Sequence, residues 1–194
     1  SADRSLSIIL LERDEAVGTP VRCGEGVGSA GLSEFLDPGP STCLAPWISR
    51  RISRVVFRAP DGCEVRVAEG DVGYILDRAT FEPALATQAM NAGADVRTSV
   101  DAVGMTRDGD RWTVAVDAST GRGEISARVV IGADGVESTV GRWAGLDTRV
   151  RARDMESCAQ YVVDDTTIDA DAIVLHFGDR VAPGGYAWVF PKDT

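Results

Sequence analysis

One lysine, one histidine and no long apolar run remove several chemistries at once. Of the 20 Lys and Arg residues only Lys192 is a lysine, and His176 is the 1 histidine. The 4 cysteines (Cys23, Cys43, Cys63, Cys158) form no CxxC pair and have no second imidazole to join them, so no metal site is expected. At this length so few cysteines do not make a disulfide framework, and reduced thiols point to the cytoplasm. No stretch of about 18 apolar residues exists, so no membrane-spanning helix is expected. The longest near-apolar stretch, residues 6–11, has the length of a strand. The start Ser-Ala-Asp-Arg-Ser carries no hydrophobic leader, so no signal peptide is expected. A net charge of −10 and a pI of about 4.6 exclude the basic footprint that nucleic-acid phosphates demand.

What is present is enough for a sizeable core: 194 residues, 44% of them apolar, rule out disorder. The 30 acidic residues are mostly Asp and the basic ones almost all Arg. Either a salt-adapted surface or a GC-rich genome gives that pattern.

Along the chain, Ser7-Ile8-Ile9-Leu10-Leu11, closed by Glu12-Arg13-Asp14, reads as a buried parallel strand. Residues 17–31 are Gly-rich and irregular. Residues 29–36 predict a short helix stopped by Asp37-Pro38-Gly39-Pro40. Residues 55–57 and 65–67 about a Pro60-Asp61-Gly62 turn predict a hairpin, with 73–76 one more strand. Asp77 would cap a helix carrying Phe81, Leu85 and Ala89 and ended by Gly93, with Pro83 uncomfortable unless it falls in the first turns. Strands are expected at 95–98, 102–106, 112–116 and 125–131, then a short helix at 138–143. Beyond Leu146, residues 158–163, 173–177 and 186–190 predict antiparallel strands of a second sheet. Both ends of the sequence look cut from within a larger domain, since a strand buried in a sheet does not stand alone.

Four places carry candidate chemistry. Glu12 ends the first strand, where dinucleotide-binding folds keep a carboxylate for the adenosine ribose; taken alone, a glutamate there is usually a solvated cap. In Pro20-Val21-Arg22-Cys23-Gly24-Glu25-Gly26, glycines 24 and 26 would let the backbone approach a flat ligand, with Cys23 as a polarizable wall or proton source; the plain alternative is a polar surface loop. Asp134 in Gly132-Ala133-Asp134-Gly135 would orient a pyrophosphate or simply cap the following helix. Tyr186, Trp188 and Phe190 share one strand face by period-two alternation and make an apolar wall, for a greasy substrate or for packing.

Taken in order, strand–Glu12, Arg22-Cys23-Gly24-Glu25-Gly26, Tyr74-x-x-Asp77-Arg78-x-x-Phe81, Gly132-Ala133-Asp134-Gly135 and Pro183-Gly184-Gly185-Tyr186-x-Trp188-x-Phe190-Pro191 resemble the geranylgeranyl reductase family. These are flavoproteins of the p-hydroxybenzoate hydroxylase superfamily and include the archaeal digeranylgeranylglycerophospholipid reductases. The resemblance implies an α/β (α+β) fold. Residues 1–150 would form a partial Rossmann-like three-layer FAD/NAD(P)-binding domain, with an inserted hairpin at about 50–76, and 151–194 the start of an antiparallel substrate-binding sheet. It implies truncation at both ends, because the family's GxGxxG turn would precede Ser1 and a Gly-Asp-Ala flavin-contacting segment would follow Thr194. It also implies FAD bound by Glu12, Cys23, Gly24, Gly26, Arg78, the Ala102 backbone and Asp134. Cys23 would handle the catalytic proton, and Tyr186, Trp188 and Phe190 would line an isoprenoid cavity. The reaction implied is hydride transfer from reduced flavin to a C=C bond of a geranylgeranyl chain, with NADPH or a ferredoxin-like donor as reductant. A prenyl-lipid substrate further implies peripheral membrane contact of a cytoplasmic protein. Two other readings stay open: another flavin oxidoreductase of the superfamily, and a non-catalytic remnant that binds no flavin. A halogenase is not expected, because its chemistry needs a lysine between flavin and substrate and Lys192 lies at the chain's end.

Overall fold

A computed structural model describes residues 6–34, 44–164 and 167–192. The Asp37–Pro40 helix stop, Leu36 and Cys43 lie outside the described residues. The chain divides into two compact units, Ser1–Thr19 with Leu85–Ala159 and Pro20–Ala84 with Gln160–Thr194. Strands dominate both units, giving a mixed α/β fold.

In the first unit, β1 (Ile9–Leu11) pairs in parallel with β5 (Asp95–Arg97). The expected burial of β1 is not found. Ile8, Ile9 and Leu10 are exposed, because β5 is its one ladder partner among the described residues and a parallel strand is buried only when layers cover both faces. Three strands, β6 (Val100–Asp108), β7 (Arg111–Ala118) and β8 (Gly121–Ala127), form an antiparallel meander. Its centre is Val114 and Val116, the buried positions of the middle strand. The expected strand at 125–131 ends at Ala127. Val129 and Ile131 run on at 75% and 86% exposure, since the β7 ladder stops opposite Trp112. A 3₁₀ turn and α3 (Thr139–Trp143) follow.

In the second unit, β2 (Gly26–Gly28), α1 (Ser29–Ser33), β3 (Ile48–Arg58) and β4 (Glu64–Leu76) precede α2 (Arg78–Asn91), through which the boundary between the units passes. The strand expected at 73–76 is the end of β4, which stays paired with β3 across three register shifts. The Gly-rich segment is more regular than its composition suggests. Gly26, Val27 and Gly28 pair with Ile75, Tyr74 and Gly73. An added Cβ on Gly73 would sit 2.1 Å from the Val27 carbonyl oxygen, so only glycine lets these backbones meet.

Two more strands, β9 (Ala172–Phe177) and β10 (Tyr186–Val189), are antiparallel to one another as expected. Yet β9 runs parallel to β3, so both join the hairpin's sheet, in the order β10-β9-β3-β4-β2. The strand expected at 158–163 does not form. Tyr161, Val162 and Val163 are 83%, 80% and 72% exposed with no ladder to pair in, and β-propensity alone does not make a strand. The core of this unit is Leu32, Trp47, Ile48, Tyr74 and Leu76, with Phe81 against Trp47 at 5.2 Å between ring centroids. Ile52 and Ile75 are fully buried in the sheet, each contributing about 1.5–3 kcal/mol.

Helix α2 contains Pro83, one turn further in than a proline is comfortable, and ends on Gly93 at φ 100°. The Gly93 N–H bonds to Met90 O and the Ala94 N–H to Ala89 O, the paired bonds of a Schellman cap. No helix among the described residues is long and apolar enough to cross a membrane.

Candidate functional site

The second unit brings most of the expected site residues together. Cys23 is exposed in the turn before β2, and its Sγ accepts a hydrogen bond from the Glu25 N–H at 3.4 Å. Gly24 lies directly against the aromatic strand. A Cβ there would stand 2.6 Å from Phe190 Cε2 and 3.1 Å from Trp188 Nε1, and one on Gly26 would be 3.1 Å from the same Phe190 ring. The glycines of the turn are therefore what lets the Arg-Cys-Gly-Glu-Gly and Tyr-x-Trp-x-Phe-Pro segments touch.

From that contact the rings of Phe190, Trp188, Tyr186, Phe177 and Phe57 follow one another across β10, β9 and β3 at centroid spacings of 6.5, 6.2, 6.0 and 5.0 Å. Tyr186 is half exposed, so one side of this run is open to solvent.

Arg78, at the start of α2, donates through Nε and Nη2 to Glu82 Oε1. Burial pulls its pKa down, but the hydrogen bond and charge of Glu82, with a smaller contribution from Cys23, leave it above its ordinary value. Arg78 is thus a fixed cation next to the thiol.

Two further residues complete the cluster, and sequence reasoning gave neither a role. Glu25 is buried, its Oε1 accepting from the Arg78 N–H at 2.8 Å and its Oε2 from Lys192 Nζ at 2.6 Å. Lys192, read from sequence only as lying at the chain's end, is held in this ion pair. The available signal was its being the chain's one lysine, set immediately after the aromatic motif.

Glu12, Ala102 and Asp134 lie in the first unit. Glu12 follows β1 and its Oε1 accepts the Asp14 N–H at 2.9 Å, the bond of a local turn. Ala102 pairs with Val116 beside a register shift in β6. Asp134 Oδ2 accepts the Val140 N–H at 2.8 Å, which lowers its pKa below the ordinary 3.8. The helix-capping reading therefore describes what Asp134 does here.

Comparison with known proteins bears on both units. Residues 154–194 match the geranylgeranyl reductase catalytic domain. The chain is 43% identical over 197 residues to the digeranylgeranylglycerophospholipid reductase of Methanosphaerula palustris, covering 99% of this chain and 48% of that protein. The chain is geranylgeranyl reductase-like. It is 40% identical to the reductase of the same name from Methanocella arvoryzae, over 99% of this chain and 49% of that one. Among solved structures, a geranylgeranyl bacteriochlorophyll reductase-like protein of Thermoplasma acidophilum superposes with a TM-score of 0.81 at 29% identity, over 97% of this chain and 48% of that one. A flavoprotein/dehydrogenase of Cytophaga hutchinsonii shares the fold at TM-score 0.69 and 18% identity. The geranylgeranyl reductase-like chain spans about half the length of the curated relatives it matches.

Proposed function

We propose that this chain is part of an FAD-dependent reductase that saturates C=C bonds in the geranylgeranyl chains of lipids. The observation that carries the reading is the contact of the Cys23–Gly26 turn with Trp188 and Phe190, which sets a thiol and a cation at one end of an apolar wall. In the second unit the exposed backbone of Gly26 and the guanidinium of Arg78 suit a flavin ring, and in the first unit the carboxylate of Glu12 follows a parallel strand, as a ribose-binding carboxylate does. In this reading the FAD-binding elements lie within residues 1–150, and residues 151–194 contribute the substrate side by adding β9 and β10 to the sheet of β3 and β4.

FAD held here would supply the hydride, its reducing equivalents coming as hydride from NADPH or as two single electrons from a ferredoxin-like donor with protons taken from water. Glu12 Oε2 would accept from the ribose hydroxyls, since Oε1 is taken by Asp14. Gly24 and Gly26 would present backbone to the flat ring, and Arg78 would hold positive charge beside it. Tyr186, Trp188 and Phe190 would exclude water and hold the isoprenoid. The C=C bond would take the hydride on one carbon and a proton on the other, with Cys23 Sγ handing over that proton in this reading. Asp134 is the weakest of the cofactor residues, being committed to its cap. A substrate anchored in a bilayer gives the protein a peripheral membrane contact.

Purification of the intact protein tests this directly. Yellow protein that bleaches with dithionite, and that converts a digeranylgeranyl lipid to products heavier by 2 Da per reduced bond (about two hydrogen masses), is the expected result. Protein that stays colourless with added FAD sinks the reading. Cys23→Ala should keep the flavin and lose about 100-fold or more in kcat, the usual weight of a positioned proton donor.

A further inference from the structure

Glu25 is the buried charged residue among the described residues, 6% exposed, and the reaction outlined above does not use it. Its backbone is left-handed at φ 63°, a conformation that residues other than glycine seldom adopt. Glycines flank it on both sides, so glycine would suit the backbone here; what glutamate adds is a carboxylate. That carboxylate joins segments remote in sequence, Arg78 lying 53 residues away and Lys192 167. Its own carbonyl accepts the Leu76 N–H at 2.9 Å and its amide donates to Cys23 Sγ. A buried carboxylate–ammonium pair is a weak source of stability, because desolvation offsets most of the attraction, and its attested use is to fix one geometry among several.

We propose that Glu25 and Lys192 are positioning residues for the Cys23 thiol: their ion pair ties the end of the aromatic strand to the glycine turn and holds the sulfur on the Glu25 N–H. The catalytic meaning of this assignment rests on the reductase reading, whereas the positioning belongs to the second unit alone. Lys192 fixes the carboxylate from one side and the Arg78 N–H from the other. Without the ammonium the carboxylate must leave its buried place, and the turn that carries the sulfur leaves with it.

The test is the rate at which iodoacetamide labels each cysteine of the intact protein at pH 8, read peptide by peptide in a mass spectrometer. Cys63 and Cys158, both exposed, serve as references in the same molecule. In Lys192→Met and Glu25→Gln the Cys23 rate should fall roughly threefold or more, as the Glu25 N–H moves away from the sulfur, while the reference rates hold. In Lys192→Arg, which keeps the charge, the rate should stay within about twofold of the unsubstituted protein. A Cys23 rate that is unchanged, that rises, or that falls together with Cys63 and Cys158 overturns the proposal, as does a Lys192→Arg rate as low as that of Lys192→Met. Should Glu25→Gln lose its far-UV circular dichroism, Lys192→Met carries the test, since its side chain is about one-third exposed. The labelling needs no flavin. A colourless protein with a selective fall at Cys23 thus removes the reductase reading and leaves the positioning standing, and a yellow, active one without the fall does the reverse.

Discussion

At the scale of single residues, Asp134 offers a measurement with a definite sign. Its pKa is lowered chiefly by the Val140 N–H, so the bond favours the folded state above the ordinary carboxylate value of 3.8 and is lost as pH falls below it. Asp134→Ala should speed exchange of the Val140 amide about fivefold at neutral pH, the worth of one lost cap, and the two proteins should converge as the solution is acidified through that range. Gly24→Ala tests the other unit. The new methyl would meet the Phe190 ring at 2.6 Å, so either the turn or the ring must move. We expect the variant to fold, to lose roughly 1–3 kcal/mol to overpacking, and to bind FAD at least tenfold more weakly in a flavin titration. The candidate residues were legible in the sequence because thiol, glycine pair and aromatic alternation are local patterns. Glu25 and Lys192 were not, since a glutamate between two glycines reads as exposed until segments 53 and 167 residues away are brought to it.

At the scale of elements, the β2–β4 pair is the most exacting part of the fold. Gly73→Ala places a methyl into the Val27 carbonyl, so β2 must lift from the sheet and carry the Cys23 turn with it. A loss of about 3 kcal/mol in urea unfolding is expected, together with slower labelling of Cys23. Gly28, opposite Gly73 with nothing within 4 Å of its own would-be Cβ, is the control, and Gly28→Ala should cost far less. Elements set by short-range pattern were read correctly: the hairpin with its Asp61-Gly62 turn, the helix ended by Gly93 and the meander about Asp108-Gly109. Errors arose where pairing decides. Residues 158–163 have the apolar, β-branched look of a strand but no partner, whereas Gly26–Gly28 look irregular and are paired. That β9 would lie parallel to β3 follows from a crossover longer than 100 residues, which no local pattern encodes.

At the scale of the whole molecule, charge sets the environmental response. The net charge of −10 is self-repelling, while the Arg–Asp and Arg–Glu pairs on the surface, such as Arg97–Asp95 and Arg149–Asp147, are exposed and each worth little. Raising NaCl from about 0.1 to 1 M, which shortens the screening length from about 10 to 3 Å, should therefore raise Tm rather than lower it. A Tm that drops with salt would mean that the pairs outweigh the repulsion. One outcome of the Arg-for-Lys usage is practical. Within these 194 residues an amine-reactive dye has a single side-chain target, and that target is the partner of Glu25. Acylation at that nitrogen would cancel its charge, so the labelling yield itself becomes a gauge of how often the clasp opens.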